Sequence, residues 1–514
     1  MHQERREQVV WLLLALILIG GTLLRVSHLG SHLFHVDEAL FASYGLTIWS
    51  GLDPLLAKEA VDKPPLFFYF LAASFRVFGN SETAAAMPNL IFSLASVVMV
   101  FFLCRQLFDS ATALVAAALM AASPFNIAYS YTAFIDPTMV GLALLAMVLA
   151  QRRLYFAGGF VAGLLPAVKV QGVLFWPLIG VFGLLGLVEK PSSPRRWALA
   201  IVLALAGAAL PILGLMQWSA LRPEQQPFME LAAAHNPLVP ADPATYGAQI
   251  VDWWQSSLQY IVGSPLANYA LLIGVPLLLA WDLAELVAGY DRRLGAITDW
   301  ALAAFAIFFI GWHTYYQSPA WDRYMLGLVP VGLILLARVI MLPWRTANVL
   351  ASRPIAAPAA TWSIGALIVV FLAFSLAQPV QAGLRSSYNL GWSGKDGPTT
   401  YEGIHAVVNY FKGNVKPGAV LYDYQSLSWH YNYYVFGLGY EVVWFDDAYI
   451  DSFQYGVSAI PSERPQYIVL PSWVDDKKTQ EKIFGDEVVA ESVYKAYRDD
   501  GSVSFTIYRL SPAK

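Results

Sequence analysis

Charge is scarce in this sequence. Only 13% of its 514 residues are Asp, Glu, Lys or Arg, against about a quarter in soluble domains, and the shortage argues against an ordinary water-soluble fold. Positive charge is not in excess either. The 32 basic residues face 36 acidic ones for a net charge of -4, which supplies no basic field for wrapping a phosphodiester backbone and excludes nucleic acid as a natural partner. Cysteine occurs once, as Cys104 inside an apolar run, so an internal disulfide and a thiolate metal cluster are both excluded. There is no Walker loop, no glycine-rich dinucleotide fingerprint after a strand, no visible repeat and no low-complexity tract. What the chain has in quantity is apolar surface: 57% of its residues are hydrophobic and 14% aromatic, with a mean hydropathy of +0.51. These bound it to a polytopic α-helical membrane protein.

Apolar runs near the roughly 20 residues that cross a bilayer fall at 9–24, 88–107, 111–128, 138–150, 154–168, 172–188, 197–217, 266–287, 300–313, 324–342 and 361–378. That makes about eleven spans, several of them short. The first follows Arg5 and Arg6 and lacks a small-x-small cleavage site, so it reads as a retained signal anchor. Arg5 and Arg6, Arg105, Arg152 and Arg153, Lys190 with Arg195 and Arg196, Arg292 and Arg293, then Arg345 and Arg353 fall in alternate connections. The positive-inside rule then gives a cytoplasmic N-terminus. The other face receives long segments at 25–87 and 218–265 and the whole tail. The expected organisation is a transmembrane part over 1–382 and a small extracytoplasmic α/β domain over 383–514. In that tail, strand-like runs at 419–422, 441–445, 467–470 and 503–508 alternate with helix-like or loop stretches such as 401–412. Its aromatic group Trp429, His430, Tyr431, Tyr433 and Tyr434 reads as core rather than as a sugar-binding surface.

The few polar residues at the outer ends of the spans are the candidates for chemistry. Asp37 and Glu38 follow the first span, and Asp62-Lys63-Pro64-Pro65 closes the same segment. Taken singly, Asp37 is an N-cap of the helix that follows it, and Asp136 with Pro137 is an N-cap with proline at the first helical position. Lys169 and Arg323-Tyr324 stand at other outward span ends, where cations commonly snorkel to the interface. Topology nevertheless returns Lys63, Lys169 and Arg323 to the level of Asp37 and Asp136, and ionisable groups at that depth are functional candidates by default. His235, His313, Glu38 and Asp62 are candidates for a divalent metal, without the tight ligand spacing of a dedicated site. A carboxylate can take a proton from a hydroxyl, and Lys or Arg can stabilise a phosphate as charge builds on a leaving group. Together they suit transfer of a sugar from a lipid-linked phosphate, which needs no nucleotide pocket.

The order His35-Val-Asp37-Glu38-Ala-Leu-Phe-Ala, Trp49-Ser-Gly-Leu-Asp53-Pro, Asp62-Lys63-Pro-Pro-Leu-Phe-Phe-Tyr69 and Phe78-Gly-Asn-Ser-Glu82, continuing through Ser123-Pro124, Asp136, Lys169 and Arg323-Tyr324-Met-Leu, resembles the family 39-like GT-C glycosyltransferases. That group includes protein O-mannosyltransferases and aminoarabinose lipid A transferases. The resemblance covers most of the membrane part and is strongest over its first third. It implies a polyprenyl-phosphate sugar donor and inverting transfer on the outer face of the cytoplasmic, or inner, membrane. The acceptor would be a lipid glycan, a cell-envelope polymer or a protein. By the same resemblance Asp37 is the catalytic base, Glu38 its neighbour and Asp136 the second-loop acid. Lys63 contacts the lipid phosphate, and Arg323 is a further candidate for it; by their place at the same level, Lys169 and Tyr324 are donor-phosphate candidates too. The residue before that lysine is a metal-holding glutamate in the aminoarabinose transferases; here it is Asp62, shorter by one methylene.

The alternatives are a transporter or flippase of a lipid-linked sugar, and a noncatalytic scaffold. Transporters usually hold their coupling groups near the bilayer midplane in broken helices, whereas the acids and cations here stand at span ends, which favours transfer.

Overall fold

The computed structural model describes residues 2–30, 32–188, 193–235, 238–288, 293–316, 318, 321–351, 358–385, 401–424, 427–460 and 464–513. Lys190, Arg292 and Arg353, three of the basic residues that set the expected orientation, lie outside the described residues. Two compact units emerge. One gathers Met1–Leu29, Asp53–Phe70 and Ala86–Gly391, and the other gathers Gly30–Leu52, Leu71–Ala85 and Trp392–Lys514. The second unit therefore takes in two stretches of the first long connection as well as the tail.

All eleven apolar runs are helical. The helices, in chain order, are α1 (His2–Val26), α2 (Val36–Trp49), α3 (Leu66–Phe78), α4 (Glu82–Leu107), α5 (Ser110–Ala122), α6 (Pro124–Ala128), α7 (Asp136–Gln151), α8 (Tyr155–Val168), α9 (Trp176–Val188), α10 (Pro194–Ala220), α11 (Phe228–His235), α12 (Tyr246–Ser256), α13 (Pro265–Val287), α14 (Arg293–Tyr315), α15 (Val329–Ala351) and α16 (Pro358–Arg385). Among the described residues eight helical stretches are long and apolar enough to cross a membrane, and a ninth candidate is the pair 110–122 and 124–131, bent by 53°. The bend follows from Ser123-Pro124, because the residue before proline avoids α geometry and Ser123 is extended at ψ 122°. The count of about eleven spans is thus reduced. The runs at 138–150 and 154–168 form α7 and α8, of 16 and 14 residues, and at about 1.5 Å per residue such helices fall short of the roughly 30 Å hydrocarbon core.

Small residues set the packing of this unit. A Cβ added at Gly159 would sit 2.0 Å from the Ala204 carbonyl oxygen, and at Gly163 2.4 Å from that of Ala208. Helices α8 and α10 therefore touch backbone to backbone, the packing mode available where lipid removes a hydrophobic drive between helices. Charges are neutralised inside the same unit. Arg338 makes bonds of 2.6 to 3.0 Å to Asp299, and Arg345 reaches Asp282 at 3.2 Å and Glu285 at 2.6 Å, all five groups being buried. Arg345, read above as a connection residue, is instead inside α15. Arg25, assigned to the first external segment, ends α1 fully buried and donates to Ser93 Oγ and the Ala121 carbonyl.

The other unit contains a five-stranded sheet, β1 (Val420–Tyr424), β2 (Glu441–Phe445), β3 (Gln466–Pro471), β4 (Val488–Tyr497) and β5 (Val503–Pro512), in the order β2-β1-β3-β5-β4. The first three strands are parallel, and β5 and β4 are antiparallel additions. Alternate side chains point to opposite faces. Leu421, Val469 and Ile507 meet α17 (Ile404–Asn414) and α18 (Ser428–Tyr434), while Tyr422, Ile468 and Leu470 meet α19 (Ile450–Ala459) and α20 (Lys477–Phe484). The aromatic group of α18 is core: His430, Tyr431 and Tyr433 are buried, and Phe34 and Tyr44 lie edge-on to Tyr433 and Trp429.

Candidate active site

In the helical unit Asp136 opens α7 and Lys169 closes α8. Lys169 Nζ donates to Asp136 Oδ1 at 2.6 Å, and both side chains are buried. Asp136 is the first residue of α7 with Pro137 behind it, and the N-cap is Ile135. The N-cap reading of Asp136 is therefore corrected: its carboxylate serves a lysine. The loop that presents it is fixed from α4, where Asn89 donates to the carbonyls of Thr132 and Phe134 and accepts from Thr138 Oγ1. Lys169 is released from helical geometry at φ -152°, ψ 131°, and its ammonium lies 4.3 Å from the centre of the Tyr324 ring.

Tyr324 and Arg323 come from the 3₁₀ turn Asp322–Leu328 that leads into α15. Arg323 is buried, with its guanidinium 4.0 Å from the Trp321 ring centre and 4.7 Å from that of Phe134. Trp321 and Tyr324 stack at 6.1 Å. Asp136, Lys169, Tyr324 and Arg323 thus form one cluster of paired charge on aromatic faces, a setting in which a planar guanidinium is well suited to phosphate.

Lys63 and Asp62 belong to the same unit as a second group. Lys63 Nζ lies 2.5 Å from Asp62 Oδ2, and His235 Nδ1 lies 3.1 Å from the same oxygen. Burial raises the Asp62 carboxyl, but the hydrogen bonds and charges of Lys63 and His235 outweigh it and hold the group below its ordinary range. The two metal candidates, Asp62 and His235, therefore do meet, yet among the described residues no group of three His, Cys, Asp or Glu could hold a metal ion. With one shared oxygen already taken by a lysine, the donor set does not fit a divalent site. His313 is engaged elsewhere, its Nδ1 2.8 Å from the Phe309 carbonyl.

Asp37 and Glu38 belong to the sheet-containing unit. The N-cap of α2 is His35, not Asp37: the Asp37 amide donates to His35 Nδ1 at 3.2 Å, and Glu38 Oε2 accepts the His35 amide at 2.9 Å, closing a capping box. Glu38 is wholly buried and also bonds His32 Nε2 at 2.6 Å. Burial would lower the His32 imidazole; the Glu38 charge and hydrogen bond, with Glu82 beyond, outweigh it and raise it. Asp37 keeps 31% of its side chain exposed, so of the two neighbouring acids it is the accessible one. Sequence reasoning missed His32, Asn89, Phe134 and Trp321 as supports. Asn89 after Pro88 in an otherwise apolar run was the signal available.

A family model described as "Dolichyl-phosphate-mannose-protein mannosyltransferase" matches residues 62–213. The "Putative mannosyltransferase YkcB" of Bacillus subtilis (strain 168) is 27% identical over 153 residues, 28% of this chain and only 21% of that protein. Solved structures align over nearly the full length. ArnT from Cupriavidus metallidurans in the apo state matches with a TM-score of 0.62 at 16% identity over 98% of both chains. The same enzyme bound to undecaprenyl phosphate matches at 0.59 and 15%, again over 98% of both. The oligosaccharyltransferase of Archaeoglobus fulgidus, tethered to an acceptor peptide, matches at 0.53 and 12% over 96% of this chain and 74% of that one. The chain is therefore a multi-pass membrane protein with the GT-C fold.

Proposed function

We propose that this protein is an inverting glycosyltransferase that moves a sugar from a polyprenyl-phosphate donor to an acceptor on the outer face of the cytoplasmic membrane. The observation that carries the reading is the buried cluster of Asp136, Lys169, Arg323 and Tyr324, drawn from the ends of apolar segments. The region 62–213 that matches the mannosyltransferase model includes Lys63, Asp136 and Lys169. Basic residues Arg105, Arg152 and Arg196, at helix ends that alternate along the chain, support a cytoplasmic N-terminus and an extracytoplasmic sheet domain.

In the reaction, the acceptor hydroxyl oxygen attacks the anomeric carbon from the face opposite the phosphate. The new C–O bond forms as the C1–O bond to phosphate breaks, inverting the centre. The proton passes to the Asp37 carboxylate and the electron pair leaves with the phosphate oxygen, giving polyprenyl phosphate. Arg323 and Lys63 stabilise that departing charge. Lys169, bonded to Asp136 and 4.3 Å from the centre of the Tyr324 ring, acts as a positioning residue. Glu38 shapes the start of α2.

The test is donor consumption by purified protein in detergent against a panel of polyprenyl-phosphate sugars. Detergent leaves no compartments, so a flippase consumes nothing. Asp37→Asn is expected to stay folded and lose at least 100-fold in turnover, on the order of general-base catalysis. Substantial turnover by folded Asp37→Asn would refute the base assignment.

A further inference from the structure

Away from the charged cluster, α8, α9 and α10 line an open apolar groove of about 650 Å³ whose walls include Tyr155, Ala162, Trp176, Gly180, Leu187 and Ala204. Among the described residues its polar side chains are the Tyr155 hydroxyl and the Trp176 indole, and the indole donates to the Ala162 carbonyl at 3.0 Å. The lining on α9 runs from Trp176 to Leu187, about 17 Å at 1.5 Å per residue. That is close to half the roughly 30 Å hydrocarbon core, the depth of one leaflet. Polar groups stand at Tyr155, which lines the groove, and at Arg153, two residues before it in the chain. Among the described residues, the buried hydroxyl of Tyr155, the first residue of α8, has no hydrogen-bond partner, and neither does the buried Nη2 of Arg153 in the preceding connection. The two groups are close enough to interact electrostatically. Arg153 reaches this position with φ at +64°, a conformation that costs a non-glycine residue free energy and tends to persist where function or packing requires it. Arg195 and Arg196, exposed at the start of α10, add positive charge next to the segment whose Ala200 lines the same groove.

We infer that this groove holds one acyl chain of an anionic phospholipid whose phosphate meets the Arg153 guanidinium and the Tyr155 hydroxyl. The leaflet-length apolar groove fits an acyl chain rather than a long isoprenoid, and basic pockets between membrane helices take anionic headgroups on the cytoplasmic side. The site is independent of the transferase reading, because neither Arg153 nor Tyr155 belongs to the cluster of Asp136, Lys169, Arg323 and Tyr324.

The experiment is native mass spectrometry of the full-length protein in detergent after incubation with phosphatidylglycerol, phosphatidylcholine or undecaprenyl phosphate. The wild type is expected to retain phosphatidylglycerol over phosphatidylcholine by roughly fivefold to tenfold, the scale of one or two phosphate contacts from arginine. Arg153→Gln combined with Tyr155→Phe should erase that preference. Gly180→Phe, at a glycine where an added Cβ meets nothing within 4 Å, should reduce retention of both phospholipids by occupying the groove. Gly183→Leu serves if circular dichroism shows Gly180→Phe misfolded. Equal retention of the two phospholipids by the wild type overturns the headgroup assignment. Unchanged retention in the variants, or preferential retention of undecaprenyl phosphate at a site that Gly180→Phe blocks, overturns the phospholipid assignment.

Discussion

Breaking the Asp136–Lys169 pair separates its structural role from any contact of Lys169 with the donor. Across 2.6 Å, with an effective dielectric of about 20, the attraction is about 6 kcal/mol. Desolvation of two buried charges opposes much of it, and removing one partner of such a pair costs about 3–5 kcal/mol. The two single substitutions are not equivalent. In Asp136→Leu the lysine keeps its place 4.3 Å from the Tyr324 ring centre, a contact worth about 1 kcal/mol. In Lys169→Met the aspartate is left buried and that contact is lost as well. Lys169→Met should therefore be the more destabilised by about 1 kcal/mol, and the double variant should be more stable than either. Thermal unfolding of all four proteins in detergent reads the cycle. A double variant as damaged as the sum of the singles would refute the coupling. Donor affinity then decides the second question. A positioning lysine predicts that polyprenyl-phosphate binding recovers with stability in the double variant. A folded double variant with at least tenfold weaker binding would return Lys169 to the phosphate.

Three further outcomes follow from other parts of the molecule. His430 is held at about pKa 4 by burial against an ordinary 6.5, so the unfolded chain binds a proton that the folded one refuses. Its stability is fully present above about pH 6.5 and falls by about 3 kcal/mol as pH drops toward 4, and a pH series of unfolding midpoints should flatten in His430→Gln. His32, with a raised pKa, contributes with the opposite sign: its share is present below about pH 6.5 and is lost as pH rises through its folded value, which a His32→Gln series should reveal. Asp299→Leu strands Arg338 among buried groups and should cost about 3–5 kcal/mol in heat inactivation; a loss under about 1 kcal/mol would mean that Asp282, 3.9 Å from Arg338 Nη2, takes over the charge.

Periodicity and composition exposed what depends on local burial. The helical character of the apolar runs could be read, as could strands β1, β3 and β5, which are buried along most of their length, and β2, whose Val442-Val443-Trp444-Phe445 run is apolar. Strand β4 was not read. It is an edge strand with register shifts at Ser492/Tyr494 and Ala496/Tyr497, and Glu491, Ser492 and Lys495 interrupt the alternation that marks a strand. Span number was overread for a related reason: apolar runs such as Tyr155–Val168 report burial, and a helix packed backbone to backbone through Gly159 and Gly163 is as apolar as one that crosses the bilayer.

Charged residues were legible as candidates but not as pairs, since pairing depends on contacts between segments distant in sequence. Asp136 and Lys169 are 33 positions apart, and Asp62 and His235 are 173 apart. Local grammar even misdirected the reading, because an aspartate before a proline is a standard helix start, while here the same carboxylate faces a buried ammonium. Arg345 shows the converse. A basic residue counted toward membrane orientation sits inside α15 bonded to Asp282 and Glu285, so it carries little information about which side faces the cytoplasm. The orientation argument then rests on Arg5 and Arg6, Arg105, Arg152 and Arg153, Arg195 and Arg196, and Arg293, which stand at or near helix ends. Among these, Arg105 pairs with Glu7 at 2.5 Å across α1 and α4, which joins the N-terminal segment and the end of α4 at one level, as the alternation of connections requires.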